Sequence, residues 1–119
     1  MKTLFTSFTH ALRGIAYVFR NENNFRIQVG AACVVVVLMN VFTLSRVEIL
    51  VLILIMLLVL MLEIVNTAIE KFLDLLKPRM HGHVAVIKDV MAGAVLLSSI
   101  TALVIGCIIF IPHIIEYFL

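Results

Sequence analysis

The hydrophobic residues of the chain fall into three long runs separated by short polar segments. Residues 27–44 and 90–111 contain no charge, and residues 49–62 are wholly apolar. A helix that crosses a bilayer needs roughly 20 mainly apolar residues. The pattern predicts three transmembrane helices, at about residues 27–44, 47–69 and 88–111. Unbroken apolar runs also exclude the alternating strands of a membrane β-barrel.

A different pattern precedes these runs, at about residues 4–20. Polar and basic residues occupy most faces of this segment, as in a helix that lies on a membrane surface. Its apolar residues recur at spacings of three and four, which places them on one helix face: Phe5, Phe8, Leu12, Ile15 and Phe19. Packing of this face against the spans is an equally good interpretation, and the two are compatible. The predicted fold is an all-α membrane protein, an N-terminal amphipathic surface helix followed by three transmembrane helices.

Composition supports a membrane protein with a single domain, residues 1–119. Of these residues 64% are hydrophobic and 13% are charged, and the mean hydropathy is +1.23. A soluble domain is roughly half apolar and a quarter charged, so soluble and disordered proteins are both excluded. The net charge of +2, without a basic and aromatic patch, argues against nucleic acid as a partner. Cys33 and Cys107 stand apart inside apolar runs, which argues against a metal or redox role.

The basic residues predict the orientation in the membrane. Of the nine lysines and arginines, Arg46 alone lies between the first and second spans. The others precede the first span or lie between residues 71 and 89, so the N-terminus and that loop are predicted to be cytosolic and the C-terminus outside. Three local breaks are also expected: a helix end at Lys77-Pro78, a loop at His81-Gly82-His83, and the end of the third span at Pro112.

Ionisable residues interrupt the second apolar run, where they are costly and usually functional. Glu70 follows Glu63 by seven positions, which at about 100° per residue puts both within roughly 20° on the helix surface. They belong to a polar stripe on one helix face: Glu63, Asn66, Thr67, Glu70 and Asp74. Because lipid cannot solvate these groups, the stripe must face the protein interior or a polar cavity.

The stripe lies in the cytosolic half of the second span, where other helix ends bring further polar groups. Glu22 stands just before the first span, and Lys88-Asp89 just before the third. Carboxylates near a lysine suit Mg²⁺ and phosphate, and a carboxylate deeper in the apolar zone suits a general base. Glu63 is therefore the candidate base, and Glu22 and Glu70 are the candidate magnesium ligands. On the residues alone, two other interpretations stay open, a stripe that only joins helices and one that lines an ion or proton path.

Two parts of the chain carry specific motifs. An N-E-x-x-F-R segment precedes the first span at residues 21–26, and the second span carries E-x-x-N-[ST]-A-[IL]-E at residues 63–70, with K-D at Lys88-Asp89. These motifs resemble the signature of the prokaryotic diacylglycerol kinases, a family that includes the undecaprenol kinases of Gram-positive bacteria. The resemblance runs without a gap from residue 3 to past residue 110.

The resemblance implies a multi-pass lipid kinase of the bacterial cytoplasmic (inner) membrane. Members of the family use ATP and Mg²⁺, and they are homotrimers with composite active sites between neighbouring subunits. It implies that Glu63 is the catalytic base that takes the proton of the lipid hydroxyl, and that Glu22 and Glu70 hold the metal and the nucleotide phosphates. It also implies roles at the nucleotide site for five further residues: His10, Asn66, His81, Lys88 and Asp89.

The chain departs from the family pattern at three positions near the nucleotide. Arg79 stands where an acidic residue is frequent, and His10 and Thr3 replace an aromatic residue and an arginine. These departures bear on the contacts to adenine and ribose. They leave the base and the metal residues untouched.

The expected reaction is ATP- and Mg²⁺-dependent phosphorylation of a lipid hydroxyl, on diacylglycerol or on undecaprenol. Residues 88–96, with Gly106 and residues 110–112, resemble the undecaprenol branch more, and Ala92 stands where the diacylglycerol branch has a serine. The alternative is a non-catalytic membrane protein, such as a transport or assembly subunit, that uses the polar stripe for helix packing. The intact set of charged residues argues against this alternative.

Overall fold

The computed structural model describes residues 2–77, 79 and 81–119, except for the side chains of Lys2 and His81. The described residues form four helices and no strand: α1 (Lys2–Asn21), α2 (Asn23–Val41), α3 (Arg46–Leu76) and α4 (His81–Phe118). The last three are long and apolar enough to cross a membrane. The predicted all-α fold with three spanning helices is therefore confirmed, while its orientation stays a prediction.

Helix α3 is the centre of the arrangement. It packs against each of the other helices, whereas α2 and α4 do not pack against each other in the described part of the chain. At one end, Leu52 of α3 packs with Ile109 and Phe110 of α4. The ring of Phe42, just after α2, lies 6.2 Å from that of Phe110, measured between centroids. Helices α2 and α4 therefore form the two walls of a groove, and α3 forms its floor.

The helix bounds differ from the predicted spans in ways that length explains. Helix α3 has 31 residues and α4 has 38, or about 46 and 57 Å at 1.5 Å per residue, against a hydrocarbon layer of about 30 Å. Their ends therefore extend beyond the apolar segments. Helix α2 instead ends at Val41, before the predicted residue 44, because Ser45 already caps α3. The Ser45 hydroxyl accepts from the Glu48 N–H, and the Glu48 carboxylate accepts from the Ser45 N–H.

Two of the expected helix breaks are wrong. Residues 81–83 form the first turn of α4 rather than a loop, because the packing of Val84, which is 3% exposed, outweighs the poor helix propensity of Gly82. Pro112 lies inside α4 and does not end it. The segment that follows is held by His113 beside Glu48 and by Tyr117 against Phe42. Helix α3 does end at Leu76 with Lys77 as its C-cap, and Pro78 lies outside the described residues.

Helix α1 fits both interpretations of its amphipathic pattern, because one end packs against the protein and the apolar face is exposed. Near its C-terminal end Val18 is buried, at 5% exposure. The predicted apolar stripe is exposed along its length, as expected for a helix that lies on a membrane surface: Phe5, Phe8, Leu12, Ile15 and Phe19. The helix is therefore attached at one end and free to present its apolar face to lipid.

The connection between α1 and α2 is a single extended residue, Glu22, held in place by Arg26. One guanidinium nitrogen, Nη1 of Arg26, donates to the carbonyl oxygens of Phe19 and Arg20, at 2.9 and 2.7 Å. These carbonyls belong to the last turn of α1, where they lack helix partners. Phe25, beside Arg26, is buried at 4% exposure. The two residues that end the N-E-x-x-F-R motif thus fix the bend at which Glu22 stands.

We predict that Arg26→Lys lowers the free energy of unfolding by about 1 kcal/mol. The ammonium of lysine lacks the planar donor geometry of the guanidinium and cannot donate to both carbonyl oxygens equally well. Unfolding of the purified protein in mixed micelles with increasing dodecyl sulfate measures this change. Arg20→Lys is the matched control and should leave the midpoint unchanged. An equal effect of the two substitutions would contradict the capping role.

Candidate active site

Glu63 lies in the middle of α3 and is only 1% exposed. Val59 and Thr67, one turn away on either side, are buried on the same face. The Thr67 hydroxyl donates to the carbonyl oxygen of Glu63 at 3.0 Å, a bond within the helix that leaves the carboxylate free. No lysine or arginine of the described residues forms an ion pair with Glu63. Burying a carboxylate without a counter-charge costs free energy, so this side chain is poorly explained by stability alone.

The side chain that contacts the Glu63 carboxylate is Gln28 of α2. Its Nε2 lies 3.5 Å from Oε2 of Glu63, at the outer limit of a hydrogen bond. The other end of the amide, Oε1, is buried and has no hydrogen-bond partner among the described residues. Sequence reasoning missed Gln28, although an amide between Ile27 and Val29 in an apolar run was a detectable signal. The orphan acceptor makes this a place where a polar ligand that donates a hydrogen bond would fit.

Two further carboxylates lie near Glu63. Glu22, at the bend before α2, and Glu70, two turns further along α3, are both close enough to interact electrostatically with it. Glu70 and Asn66 line the same cavity as Glu63. The structure therefore brings together the candidate base and both candidate metal ligands. It also confirms that the polar stripe faces a cavity, at Glu63, Asn66 and Glu70.

Glu22 and Glu70 are suited to a metal ion that enters the site already bound to a ligand such as a nucleotide. Among the described residues no group of three or more histidine, cysteine, aspartate or glutamate side chains is arranged to hold a metal ion. Mg²⁺ does not need such a cage, because it commonly takes one or two carboxylates together with substrate phosphates. Glu22 and Glu70 are both partly buried, and both interact electrostatically with the deeper Glu63. This donor set fits Mg²⁺ bound as a complex with a nucleotide.

Two lysines lie at the same end of the molecule. The ammonium of Lys88 on α4 donates to Oδ1 of Asp74 on α3 at 3.1 Å, with the two side chains 33% and 51% exposed. Lys71 lies over the ring of Tyr17 of α1, 5.8 Å from its centroid, and interacts electrostatically with Glu22. Asp74, the last residue of the stripe, is therefore exposed and paired rather than directed into the cavity. It holds Lys88 near the acidic cluster.

Of the sequence-predicted site residues, Glu63, Asn66 and Glu70 line the cavity, whereas Glu22, Lys88, His10 and Asp89 do not. His10 is exposed on α1, and Asp89 is exposed on α4 beside Lys88. Neither residue lines the cavity that Glu63 lines. His81 begins α4, but its side chain lies outside the described residues. The roles of all the candidate site residues, including those that line the cavity, stay predictions.

The groove between α2 and α4 contains a cavity of about 840 Å³. Most of its polar residues are contributed by α2 and α3, namely Asn24, Gln28, Glu63, Asn66 and Glu70, and α4 adds Ser99. From Glu63 the floor continues along α3 to Leu52, about 16 Å away at 1.5 Å per residue. The walls over this distance are mostly aliphatic, with Val35 on α2 and Val95 on α4. The groove therefore has a carboxylate head and a long apolar tail, the shape of an amphipathic ligand.

Fold and site together define a small, all-helical, multi-pass membrane protein with a carboxylate-lined head on an apolar groove. Residues 9–110 match the family model of the prokaryotic diacylglycerol kinases. The chain belongs to the prokaryotic diacylglycerol kinase family. This membership confirms the resemblance carried by the motifs, and it favours an enzyme over a non-catalytic membrane protein.

Three curated relatives resemble the chain over most of its length. It is 36% identical to an undecaprenol kinase of Bacillus subtilis (strain 168), over 94% of this chain and 91% of that protein. It is 35% identical to a diacylglycerol kinase of Synechocystis sp., over 92% of this chain and 63% of the relative. A diacylglycerol kinase of Haemophilus influenzae is 31% identical, over 90% of this chain and 92% of the relative.

We predict that Glu63→Met leaves the free energy of unfolding unchanged or raises it by up to about 2 kcal/mol, because it removes a buried carboxylate that has no ion-pair partner. Dodecyl sulfate unfolding of the purified variant measures the change. Leu60→Met, in the same cavity and on the same helix, is the matched control for a new methionine. A loss of stability specific to Glu63→Met would instead support a stripe that serves to join helices.

Proposed function

We propose that the chain is a lipid kinase that transfers the γ-phosphoryl group of ATP, with Mg²⁺, to the hydroxyl of a membrane lipid. Undecaprenol and diacylglycerol are the candidate substrates, as the names of the relatives suggest. The observation that carries the proposal is the buried carboxylate of Glu63 at the polar head of an apolar groove. A hydrocarbon tail fits along the apolar part of the groove. A lipid bound in this way has its hydroxyl beside the hydrogen-bond acceptors at the polar end of the groove.

In the proposed reaction Glu63 is the general base. Its carboxylate orients the lipid hydroxyl and accepts its proton while the hydroxyl oxygen attacks the γ-phosphorus. The bond from the γ-phosphorus to the bridging oxygen of ADP breaks in the same displacement, and the products are a lipid phosphate and ADP. The low exposure of Glu63 supports this role, because exclusion of water prevents wasteful transfer of the phosphoryl group to water.

We assign binding of the ATP phosphates to residues around Glu63 that are more exposed than Glu63 itself. Glu22 and Glu70 would hold Mg²⁺, which when bound offsets the negative charge of the phosphates. Lys88 would contribute a further positive charge, and its pairing with Asp74 supports this by keeping the ammonium near the acidic cluster. Asn66 lines the cavity one turn from Glu63. We assign it, together with His10, His81 and Asp89, to the nucleotide side of the site on the family resemblance.

The wider setting follows from the family and the charge pattern. We propose that residues 1–119 act as one domain in the bacterial cytoplasmic membrane, with the site near the cytosolic face, and that the protein is a homotrimer. The large exposed apolar surface of the helices supports insertion in a bilayer. Contacts between subunits would also cover part of it.

We predict that Glu63→Gln abolishes phosphorylation of lipid and leaves binding of Mg·ATP largely intact, because the amide keeps the shape of the side chain but cannot accept the proton. Glu70→Gln should instead weaken binding of Mg·ATP, by about tenfold. Transfer of label from radiolabelled ATP to undecaprenol or diacylglycerol in detergent micelles measures the reaction. Binding of a non-hydrolysable ATP analogue with Mg²⁺ measures the affinity.

Glu48→Gln is the control for these variants, because it changes a carboxylate of the same helix at the far end of the molecule. Normal turnover of folded Glu63→Gln would contradict the assignment of the base. No label in either lipid from folded wild-type protein would contradict the proposed function, and would favour a non-catalytic role or a different lipid alcohol.

Undecaprenol is the better candidate of the two lipids on the lining of the groove. Diacylglycerol carries ester carbonyls beside its hydroxyl, and these accept hydrogen bonds, whereas the hydroxyl is the only polar group of undecaprenol. Ala92 on α4 lines the cavity, and its methyl group offers no donor to an ester, so Ser99 is the residue of this helix with a hydroxyl in the lining. The family resemblance points the same way, because the diacylglycerol branch has a serine at this position.

We predict that Ala92→Ser shifts the ratio of kcat/KM for diacylglycerol to that for undecaprenol upward by about three- to tenfold, because it adds one hydrogen-bond donor to the groove. Rates measured with each lipid at equal mole fraction in mixed micelles give the ratio. Ala94→Ser, on the same helix but not in the cavity lining, is the control and should not change it. An unchanged ratio for Ala92→Ser would remove this residue as a determinant of substrate choice.

A further inference from the structure

We propose that Gln28 is the positioning residue of the candidate active site, and that its amide nitrogen holds the Glu63 carboxylate in the orientation needed to take the proton of the lipid hydroxyl. This inference rests on the proposed function. It adds a residue that none of the sequence motifs contains.

The direction of the amide follows from the chemistry of its partner. An ionised carboxylate only accepts hydrogen bonds, so the NH₂ group of Gln28 must face Glu63. The carbonyl oxygen of the same amide therefore points away from Glu63, and it is buried without a partner among the described residues. A side chain retained for structural bonding would be expected to satisfy both ends of the amide. Here only the end directed at Glu63 is used.

Within the described residues, no other side chain is hydrogen-bonded to the Glu63 carboxylate. Its nearest charged neighbours, Glu22 and Glu70, are themselves negative and repel it. Thr67 bonds to the backbone of Glu63 and not to its side chain. A neutral donor such as Gln28 fixes one oxygen, Oε2, without contributing a positive charge that would make the carboxylate a weaker base. The other oxygen can then face the hydroxyl of the lipid.

The place of the contact agrees with this role. Gln28 and Glu63 face each other across the head of the groove, from the wall helix α2 and the floor helix α3. The separation of 3.5 Å between Nε2 and Oε2 is long, as catalytic hydrogen bonds commonly are before substrate binds. A shift of about half an ångström would bring it to the ordinary length near 3.0 Å.

The first test is Gln28→Met, which keeps the length of the side chain and removes the donor. The expected result is a fall in kcat of about tenfold, with KM for ATP and for lipid changed less than about threefold, because only the orientation of the base is lost. Asn40→Leu is the matched control, because it removes an amide from the same helix outside the cavity lining. It should leave both constants unchanged. A normal kcat for Gln28→Met would overturn the proposal.

A double-mutant cycle separates positioning from a purely structural role. Glu63→Asp keeps a carboxylate but draws it back by one methylene, which breaks the contact with Gln28. If Gln28 acts through Glu63, adding Gln28→Met to Glu63→Asp should lower kcat by less than about twofold. A further loss of about tenfold in the double mutant would mean that Gln28 acts independently of Glu63, and would overturn the proposal.

A replacement variant and the activity of the wild type make the result of these tests unambiguous. If Gln28→Met does not fold, Gln28→Asn takes its place in the same cycle, because its shorter amide also cannot reach Glu63. If the wild-type protein phosphorylates neither lipid, it is the proposed function that fails. If the wild type is active and the Gln28 variants match it, the inference about Gln28 fails alone.

Discussion

The burial of one carboxylate in the central helix of a membrane protein is the constraint on which the rest of the structure depends. Glu63 is 1% exposed and has no ion-pair partner among the described residues. Neither hydrocarbon nor a close-packed apolar core could hold this group at low cost. A polar contact from a neighbouring helix is therefore needed, and in the described residues the amide of Gln28 on α2 supplies it, whereas Glu22 and Glu70 add negative charge nearby.

The same constraint explains why α3 is the central helix. The end of α3 around Leu52 is apolar enough to pack against α4, while the end that carries Glu63 needs partners from α2 and from the segment before α2. Arg26 fixes that segment by bonding the last carbonyls of α1, so the bend brings Glu22 within electrostatic range of Glu63. Because α2 and α4 pack on α3 but not on each other in the described residues, a groove is left open above it. The result is a carboxylate head continuous with an apolar tail.

The sequence predicted most of this through periodicity and composition. The three apolar runs predicted the spanning helices, and the seven-residue spacing of Glu63 and Glu70 predicted that they share a face. Periodicity within one helix carries no information on how two helices are aligned, so the contact between Gln28 and Glu63 could not be predicted. The errors at Gly82 and Pro112 have a related cause. Both residues disfavour helix locally, and the contacts of Val84, His113 and Tyr117 that outweigh this lie elsewhere in the fold.

A lipid alcohol that binds with its hydroxyl at Glu63 should shield this carboxylate from chemical modification. A hydrophobic carbodiimide, which reacts with carboxyl groups in apolar surroundings, would be added to the protein in micelles. Mass spectrometry of peptides would then measure the modified fraction of Glu63. The account predicts that undecaprenol or diacylglycerol lowers this fraction in a saturable manner, and that the corresponding methyl ether protects much less. Equal modification of Glu63 with and without the alcohol would contradict it.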